Sequence, residues 1–499
     1  MPSPAVDQPQ PPGETRQWPS GCDLAVLRED VAAFAERHGV PADPRDVRVA
    51  VAPYRVCPLG AHVDHQGGRV AGMALDCGVL LGFLPAPARK GADRNEAKTE
   101  TETEDPVGAS EVLLRSDAFA GEARFDVTRP YDDMVFREAT SANDEAGTSC
   151  EEREEADRNR GWDAFARGAA WVLADDARLR GSAPPARGVV GIARSFPPDV
   201  RMDGGGVSSS AAITVACVVA IQRVNDEADE AEDALPEKRR GKTAADAARW
   251  RVASLARRVE NECVGVRCGV LDQASIALAE RDALTLIDCA RETHARVRLG
   301  ADHDGRVVDA PPAFKILLAF SGLREALTST GYNARVKECH EAARRLLRVP
   351  GASNVVLGDV SPKTHAREKE HLPAHLERRA AHFFGEAERV AEGETFWRRG
   401  DLRAFGALVT ASGVSSVENY ECGCAPMNAL REIVCATRGV FGARFSGAGF
   451  RGCVVGLVEA SEAEAAARSV RETYAAAFPE LASDARVILA GTGDGVRIV

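Results

Sequence analysis

The stretch from 202 to 224 constrains the fold of this chain more than any other. It reads MDGGGVSSSAAITVACVVAIQRV, with three glycines and three serines ahead of an almost entirely apolar run. The apolar run has the length of a helix, and a helix without a polar face must be buried. The glycines permit positive φ angles and a close approach of backbone N–H groups to a ligand. A free helix N-terminus after such a turn favours an anion. The stretch is typical of a phosphate cradle, and an N-capped helix after a flexible turn is the alternative.

The other predicted elements mix strands and helices without a regular βαβ order. Apolar residues in continuous or alternating runs predict strands, and apolar residues at helical spacing predict helices. The predicted strands lie at 47–56, 73–84, 186–195 and 313–322 and on both sides of the glycine turn in 443–460. The predicted helices lie at 162–178, 209–224, 244–263, 333–348 and 462–478. This mixture predicts an α+β class rather than a doubly wound sheet.

A chain of 499 residues is too long for one ordinary core, so we expect more than one domain. A proline-rich, disordered N-terminus is expected at 1–22. The N-terminal domain is expected at 23–310 and the C-terminal domain at 311–499. Acidic clusters predict solvated insertions near 89–160 and 225–242, and a polar insertion is expected near 354–380. LLRSD and EARFDVT, inside the first insertion, have the pattern of strands.

Charge and composition exclude several classes of partner. The net charge of −12 disfavours nucleic acid, whose binding depends on clustered cations. No apolar run reaches about 18 residues, so no membrane span is expected. The N-terminus has no apolar core of a secretory signal. Thirteen scattered cysteines are typical of reduced thiols in a cytoplasmic protein. The oligomeric state is left open.

Residues 52–68, APYRVCPLGAHVDHQGG, gather polar side chains among glycines. This segment contains residue types that often bind metal ions, His62, Asp64 and His65. A metallohydrolase, however, usually needs further ligands from other strands. Mixed donors and acceptors also suit the vicinal hydroxyls of a sugar, because each hydroxyl both donates and accepts. The sequence at Cys263 and Cys268 lacks the paired spacing of a zinc site.

Two further stretches have features of a catalytic loop or of a phosphate-binding loop. ENECVGVRCGVLDQAS places Asp272 in a loop after a helix, where a carboxylate can deprotonate a hydroxyl; a turn aspartate is the alternative. The GKT at 241–243 ends like a P-loop, but Pro236 stands where its first glycine belongs and no apolar strand precedes it.

Together these segments resemble the GHMP kinases, and within them the galactokinase group. APYRVCPLGAHVDHQGG resembles the sugar-binding signature, GGGVSSSAA the ATP-phosphate motif and RFSGAGFRGC the third glycine motif. CGVLDQ resembles the loop with the catalytic aspartate, and STGYNARVKEC the segment with a sugar-contacting tyrosine. The resemblance implies a two-domain α+β fold, with an N-terminal ribosomal protein S5 domain 2-like half and a C-terminal ferredoxin-like α/β sandwich. It also implies ATP and Mg²⁺ as cofactors.

The resemblance implies a role for each matching residue. Asp272 is then the catalytic aspartate, and Arg55 is the arginine that assists it. Sugar contacts fall on His62, Asp64, Gly269, Tyr332 and Ala61. ATP-phosphate contacts fall on Gly204, Gly205, Gly206, Ser208, Ser209 and Ser210. Mg²⁺ ligands fall on Ser210 and Glu260.

One departure from the galactokinase pattern concerns the substrate. Those enzymes carry a glutamate where Ala61 stands, and that glutamate faces the C6 hydroxyl of the sugar. A substrate with its own carboxylate at C6 would be repelled by glutamate, at about 1–4 kcal/mol for charges ~4 Å apart. The segments PYRVCPLGAHVDHQGG and SSVENYECGCAPMNAL resemble the galacturonokinases of plants and algae, which implies phosphorylation of D-galacturonic acid at C1. Arg267 and Arg451 are candidate cations for its carboxylate. A galactokinase acting on galactose or a related hexose, and a non-catalytic sugar sensor, are the alternatives.

Overall fold

The computed structural model describes residues 18–88, 106–130, 161–196, 205–229, 242–302, 306–307, 312–323 and 331–499. Its strands are β1 Arg48–Leu59, β2 Arg69–Pro85, β3 Glu111–Ser116, β4 Glu122–Asp126, β5 Val189–Phe196, β6 Ala283–Asp288, β7 Thr293–Arg298, β8 Phe314–Phe320, β9 Val440–Phe445, β10 Cys453–Glu459, β11 Arg486–Ala490 and β12 Arg497–Ile498. Its α-helices are α1 Gly21–Arg37, α2 Asp163–Arg180, α3 Ser209–Asp229, α4 Lys242–Arg258, α5 Leu271–Leu278, α6 Tyr332–Leu347, α7 Pro362–Glu368, α8 Ala374–Arg398, α9 Leu402–Glu418, α10 Ala425–Ala436 and α11 Ala463–Ala477.

Within these ranges the strands form two sheets. The first has the order β12-β1-β2-β5-β3-β4, and β6 pairs with both β2 and β7. The long strand β2 makes this branching possible, because Arg69–Gly72 pair with β6 and Gly78–Pro85 pair with β5. The β3–β5 pair is parallel, and the other described pairs of this sheet are antiparallel. The second sheet is antiparallel, with the order β11-β8-β10-β9.

The period of two along β1 divides its side chains between two cores. Val49 and Val51 pack with α1 on one face, whereas Ala50 and Tyr54 join the main core on the other face. The apolar helix α3 lies in that main core, where it contacts β1 and β2. Helices α9, α10 and α11 cover the second sheet, and the main core continues into it without a break. Burial of α3 follows from its sequence, because an all-apolar helix has no face for water.

The structure confirms the α+β class and the predicted strands inside the first insertion. LLRSD falls in β3 and EARFDVT in β4. The remainder of that insertion, most of the one near 225–242 and the N-terminus to residue 17 lie outside the described residues. The region near 354–380 is largely helical, with α7 and the start of α8. No helix in the described part of the chain is long and apolar enough to cross a membrane.

Two features differ from the sequence expectations. Asp272 lies in the first turn of α5, not in a loop; a carboxylate is favourable there because the N-terminal end of a helix carries partial positive charge. The boundary predicted at 310/311 falls between β7 and β8, which belong to different sheets. The last strand, β12, returns to pair with β1 through Ala50 and Val51. The end of the chain therefore belongs to the first sheet.

Candidate active site

Asp272 is the centre of a buried hydrogen-bond cluster between the sheets. Arg55, on β1, donates to its Oδ1 from Nε at 2.8 Å and from Nη2 at 2.6 Å. Ser208, just before α3, donates to its Oδ2. The Arg55 side chain is only 4% exposed, whereas that of Asp272 is 24% exposed. The arginine is thus fixed in the interior, and the carboxylate still faces a cavity.

The two glycine-rich segments pack directly against each other beside this cluster. Gly206 has φ +80°, and a Cβ there would lie 2.5 Å from the carbonyl oxygen of Ser446. A Cβ on Gly447 would lie 2.8 Å from the Cα of Gly206. The Gly206 carbonyl accepts from Ser446 Oγ at 2.7 Å and from Arg55 Nη1 at 3.2 Å. Glycine is required here because two backbones approach closer than any side chain allows.

Two cavities open on this junction. The larger has a volume of about 500 Å³. Phe119, Trp162 and Phe165 form an aromatic wall on one side, and Gly205, Ser209 and Ser210, at the start of α3, lie on another side. The smaller, of about 280 Å³, is named the polar cavity after the charged and polar side chains in its wall. Its lining includes Arg55, Ala61, His62, Asp64, Ser208, Glu260, Asp272 and Tyr332. Ser209 and Ser210 border both. The N-terminus of α3 therefore lies between the two cavities.

The predicted sugar contacts take different positions around the smaller cavity. His62 has φ +60° and stacks on Tyr420 with ring centroids 4.2 Å apart. Asp64 accepts from the Leu271 N–H at 3.3 Å. Gly269 packs on that carboxylate, because a Cβ there would lie 2.3 Å from Asp64 Oδ2. Tyr332 starts α6 at the cavity wall.

The side chains of the HVDH segment do not converge on one point. His62 Nε2 contacts Cys422 Sγ at 3.6 Å, and His65 Nε2 contacts Tyr420 Oη at 3.2 Å. Burial, with the nearby charge of Arg444, holds the pKa of His62 well below its usual value. Burial also lowers the pKa of His65 to about 3. Both rings are therefore neutral near pH 7 and can donate and accept hydrogen bonds.

The carboxylates of Asp64, Glu260 and Asp272 share the smaller cavity, and the pKa values of the first two are raised there. Burial raises the pKa of Asp64 to about 6, and the charge of Asp272 contributes to the same shift. Burial and the charge of Asp272 raise the pKa of Glu260 to about 7. Glu260 is 4% exposed and belongs to a single π-helical turn, Val259–Val264, after α4. Such turns occur frequently at functional sites.

Glu260 has the chemistry of a metal ligand. Its Oε1 is buried and has no hydrogen-bond partner, and its Oε2 accepts from the Cys268 thiol at 3.6 Å. A buried carboxylate oxygen without a partner is costly unless a cation or donor binds it. The hydroxyl of Ser210 borders the same cavity. Among the described residues no group of three or more His, Cys, Asp or Glu could hold a metal alone. This arrangement suits Mg²⁺, which binds through one or two protein oxygens together with phosphates.

Some predicted residues lie elsewhere, and others were missed. Gly204 lies outside the described residues. Arg267 is exposed and does not line either cavity, whereas Arg451 borders both. Sequence reasoning did not identify the aromatic wall of the larger cavity, nor Arg444, which lines the smaller one and is 1% exposed. Arg444 is the first residue of the third glycine motif, RFSGAGFRGC, and this position is the signal that could have indicated it.

Comparison with known proteins gives the same family over nearly the whole chain. The GHMP kinases N terminal domain matches residues 164–280, and the GHMP kinases C terminal domain matches residues 395–476. A galacturonokinase of Arabidopsis thaliana is 36% identical over 97% of this chain and 99% of that protein. A galactokinase of Chloroflexus aurantiacus is 29% identical over 89% of this chain and 91% of that protein.

A solved structure supports the same fold. The crystal structure of Lactococcus lactis galactokinase complexed with galactose matches 95% of this chain and 99% of its own, with a TM-score of 0.69 at 22% identity. The α+β GHMP kinase fold implied by the resemblance is thereby confirmed. The chain belongs to the GHMP kinase family, and it is an ATP-dependent sugar kinase.

Proposed function

We propose that this protein transfers the γ-phosphoryl group of ATP to the anomeric C1 hydroxyl of D-galacturonate, giving galacturonate 1-phosphate and ADP. The nearly full-length similarity to a galacturonokinase supports this substrate. The observation that carries the proposal is Ala61. It is 3% exposed and lies in the wall of the polar cavity, where the galactokinases it resembles carry a glutamate. A methyl group at this position leaves a substrate carboxylate unopposed.

Asp272 receives the C1 proton as the hydroxyl oxygen attacks the γ-phosphorus. The bond from that phosphorus to the bridging oxygen of ATP breaks, and ADP leaves. Arg55 and Ser208 each donate to one oxygen of Asp272. Oδ1 already accepts two N–H groups of Arg55, so the lone pair left for the substrate proton is on Oδ2. The two donors fix the carboxylate plane, so the hydroxyl is aligned before transfer.

ATP occupies the larger cavity and the junction between the cavities. Phe119, Trp162 and Phe165 offer apolar faces to a nucleobase. The glycine loop and the start of α3 direct backbone N–H groups at the phosphates, where the helix N-terminus favours negative charge. The transferred phosphoryl group then lies at Ser209 and Ser210, between the nucleotide and the sugar.

Mg²⁺ fits the same junction through Glu260 and Ser210. The metal would supply positive charge to the phosphate oxygens as the transfer proceeds. Glu260 would hold it through its unpartnered Oε1 and Ser210 through its hydroxyl. His62, Asp64 and Tyr332 hold the sugar hydroxyls, and Gly269 gives Asp64 the space to reach them. We place the reaction in the cytoplasm, since every cysteine in the described ranges is a free thiol.

The proposal is tested by ADP release from the purified protein with ATP and Mg²⁺. D-galacturonate, D-glucuronate and D-galactose are compared at matched concentrations. We expect kcat/KM to be highest for galacturonate and the product to be the 1-phosphate by ³¹P NMR. Preference for galactose would retain the kinase and reject the sugar acid. No turnover with any of the sugars would reject galacturonate and favour another substrate or a sensor.

A further inference from the structure

Arg444 is a buried cation whose N–H groups form few and long hydrogen bonds. It lies on β9, lines the polar cavity and is 1% exposed. Its Nη1 donates to the Cys57 carbonyl at 3.4 Å and its Nη2 to Ser416 Oγ at 3.5 Å, both near the limit for a hydrogen bond. Its Nε has no hydrogen-bond partner. A guanidinium has five N–H donors, so most of its capacity is left for another group.

No carboxylate within the described residues forms an ion pair with Arg444. The nearby anion is Glu386. Burial works against its charge, but neighbouring cations, Arg389 and Arg444 among them, lower its pKa. Glu386 already accepts from Arg389 Nε at 2.7 Å, from the Gly60 N–H at 2.7 Å and from Ser412 Oγ at 3.0 Å. Both of its oxygens are therefore in use. A buried charge without a matched partner is strongly unfavourable.

The thiol and imidazole groups beside Arg444 are neutral. Burial raises the pKa of both the Cys57 and Cys422 thiols to about 12. Burial lowers the pKa of His382, whose Nε2 lies 2.9 Å from the Ala61 carbonyl oxygen. Ala61 itself supplies only a methyl group to the cavity that Arg444 lines. The wall near Ala61 and Arg444 thus combines a buried guanidinium with a position that lacks a carboxylate.

We infer that Arg444 binds the C6 carboxylate of the sugar acid and is the residue that selects a uronic acid over a neutral hexose. This inference rests on the proposed function. A carboxylate and a guanidinium match in geometry and form short, charge-assisted hydrogen bonds. The substrate thereby supplies the partner that the protein does not. The other cationic candidates fit less well: Arg55 is bound to Asp272, Arg267 is outside the cavities, and Arg451 also borders the nucleotide side.

The test compares D-galacturonate with D-galacturonamide, which has the same shape at C6 but no charge. For the wild-type protein we expect kcat/KM to be at least ~30-fold higher for the acid than for the amide, the size expected for a desolvated charge pair. Arg444→Gln should lose at least ~30-fold on the acid and little on the amide, so that the ratio approaches one. Arg444→Lys retains the charge without the planar fork and should give an intermediate ratio.

Arg296→Gln is the matched control. Arg296 is a largely interior arginine on β7, with an 18% exposed side chain paired with Asp246, and it does not line either cavity. Its substitution should leave the acid-to-amide ratio unchanged, whatever it does to thermal stability. A wild-type ratio near one, or a wild-type ratio retained in Arg444→Gln, would overturn the inference. If Arg444→Gln does not fold, a wild-type ratio in Arg444→Lys would overturn it equally.

Failure of the inference is distinguishable from failure of the proposed function. If the protein turns over galacturonate well but its acid-to-amide ratio does not depend on Arg444, the proposed function stands and the inference on Arg444 is wrong. A protein that turns over galactose but not galacturonate loses both.

Discussion

Introducing a glutamate at Ala61 should reverse the charge preference of the polar cavity. Ala61 is 3% exposed and its carbonyl is fixed by His382, so the new side chain has to enter the cavity. Two like charges ~4 Å apart repel by about 1 kcal/mol in water and about 4 kcal/mol at the effective dielectric of a partly wet site. Ala61→Glu should therefore reduce kcat/KM for galacturonate by ~5- to ~900-fold, beyond any effect of size. It should also supply Arg444 with an internal partner.

Ala61→Gln is the control for this substitution, because glutamine fills the same volume without charge. Initial rates of ADP release give kcat/KM for galacturonate and galactose with the wild type and both variants. We expect the glutamate variant to lose more than the glutamine variant with galacturonate, and no such difference with galactose. Equal losses in the two variants with galacturonate would mean that size alone excludes the substrate, and the electrostatic reasoning on Ala61 would be wrong.

Three other predictions follow from the geometry of the junction. Asp272→Asn should reduce kcat by ~10²- to 10⁴-fold and leave ATP affinity by calorimetry unchanged; a rate within tenfold of the wild type would refute its role as proton acceptor. Gly206→Ala should destabilise the fold by about 2 kcal/mol or more and raise KM for ATP, because it adds a clash with Ser446 to the strain of a positive φ; Gly121→Ala, with φ +84° and no atom within 4 Å, is the control, and equal melting shifts would contradict the clash. Because the pKa of Asp64 is raised to about 6, its carboxylate is ionised above pH 6 and protonated below it, so sugar affinity measured by calorimetry should fall as the pH falls through 6; Asp64→Asn should remove this dependence, and an unchanged profile in that variant would show that another group titrates.

The local sequence pattern was sufficient to predict the helices and strands that bury a continuous apolar segment. The helix α3 was predicted because the run from Ala211 to Ile221 contains Thr214 as its single polar side chain. The strand at 313–322 was predicted from a continuous apolar run, and it lies as β8 between two neighbours. In each case burial follows from the segment itself, whatever its neighbours are.

Features that depend on distant partners could not be read in this way. The return of β12 to β1 joins residues almost at opposite ends of the chain. In the sequence, Arg444 does not differ from other arginines in predicted strands. The packing around it shows that the nearby Glu386 is already bound to Arg389 and so does not pair with Arg444. The helical position of Asp272 was missed because α5 has only eight residues and follows a glycine. The roles of Arg55 and Asp272 were inferred from resemblance, and their contact across 217 residues became visible only in the fold.

The most direct test of the account is the crystal structure of the protein with D-galacturonate and a non-hydrolysable ATP analogue. The account predicts the C1 hydroxyl within about 3.2 Å of the Asp272 carboxylate, with the sugar carboxylate at Ala61 and Arg444. A sugar bound in the opposite sense, with C6 at Asp272 or the carboxylate facing Asp64 and Glu260, would contradict it.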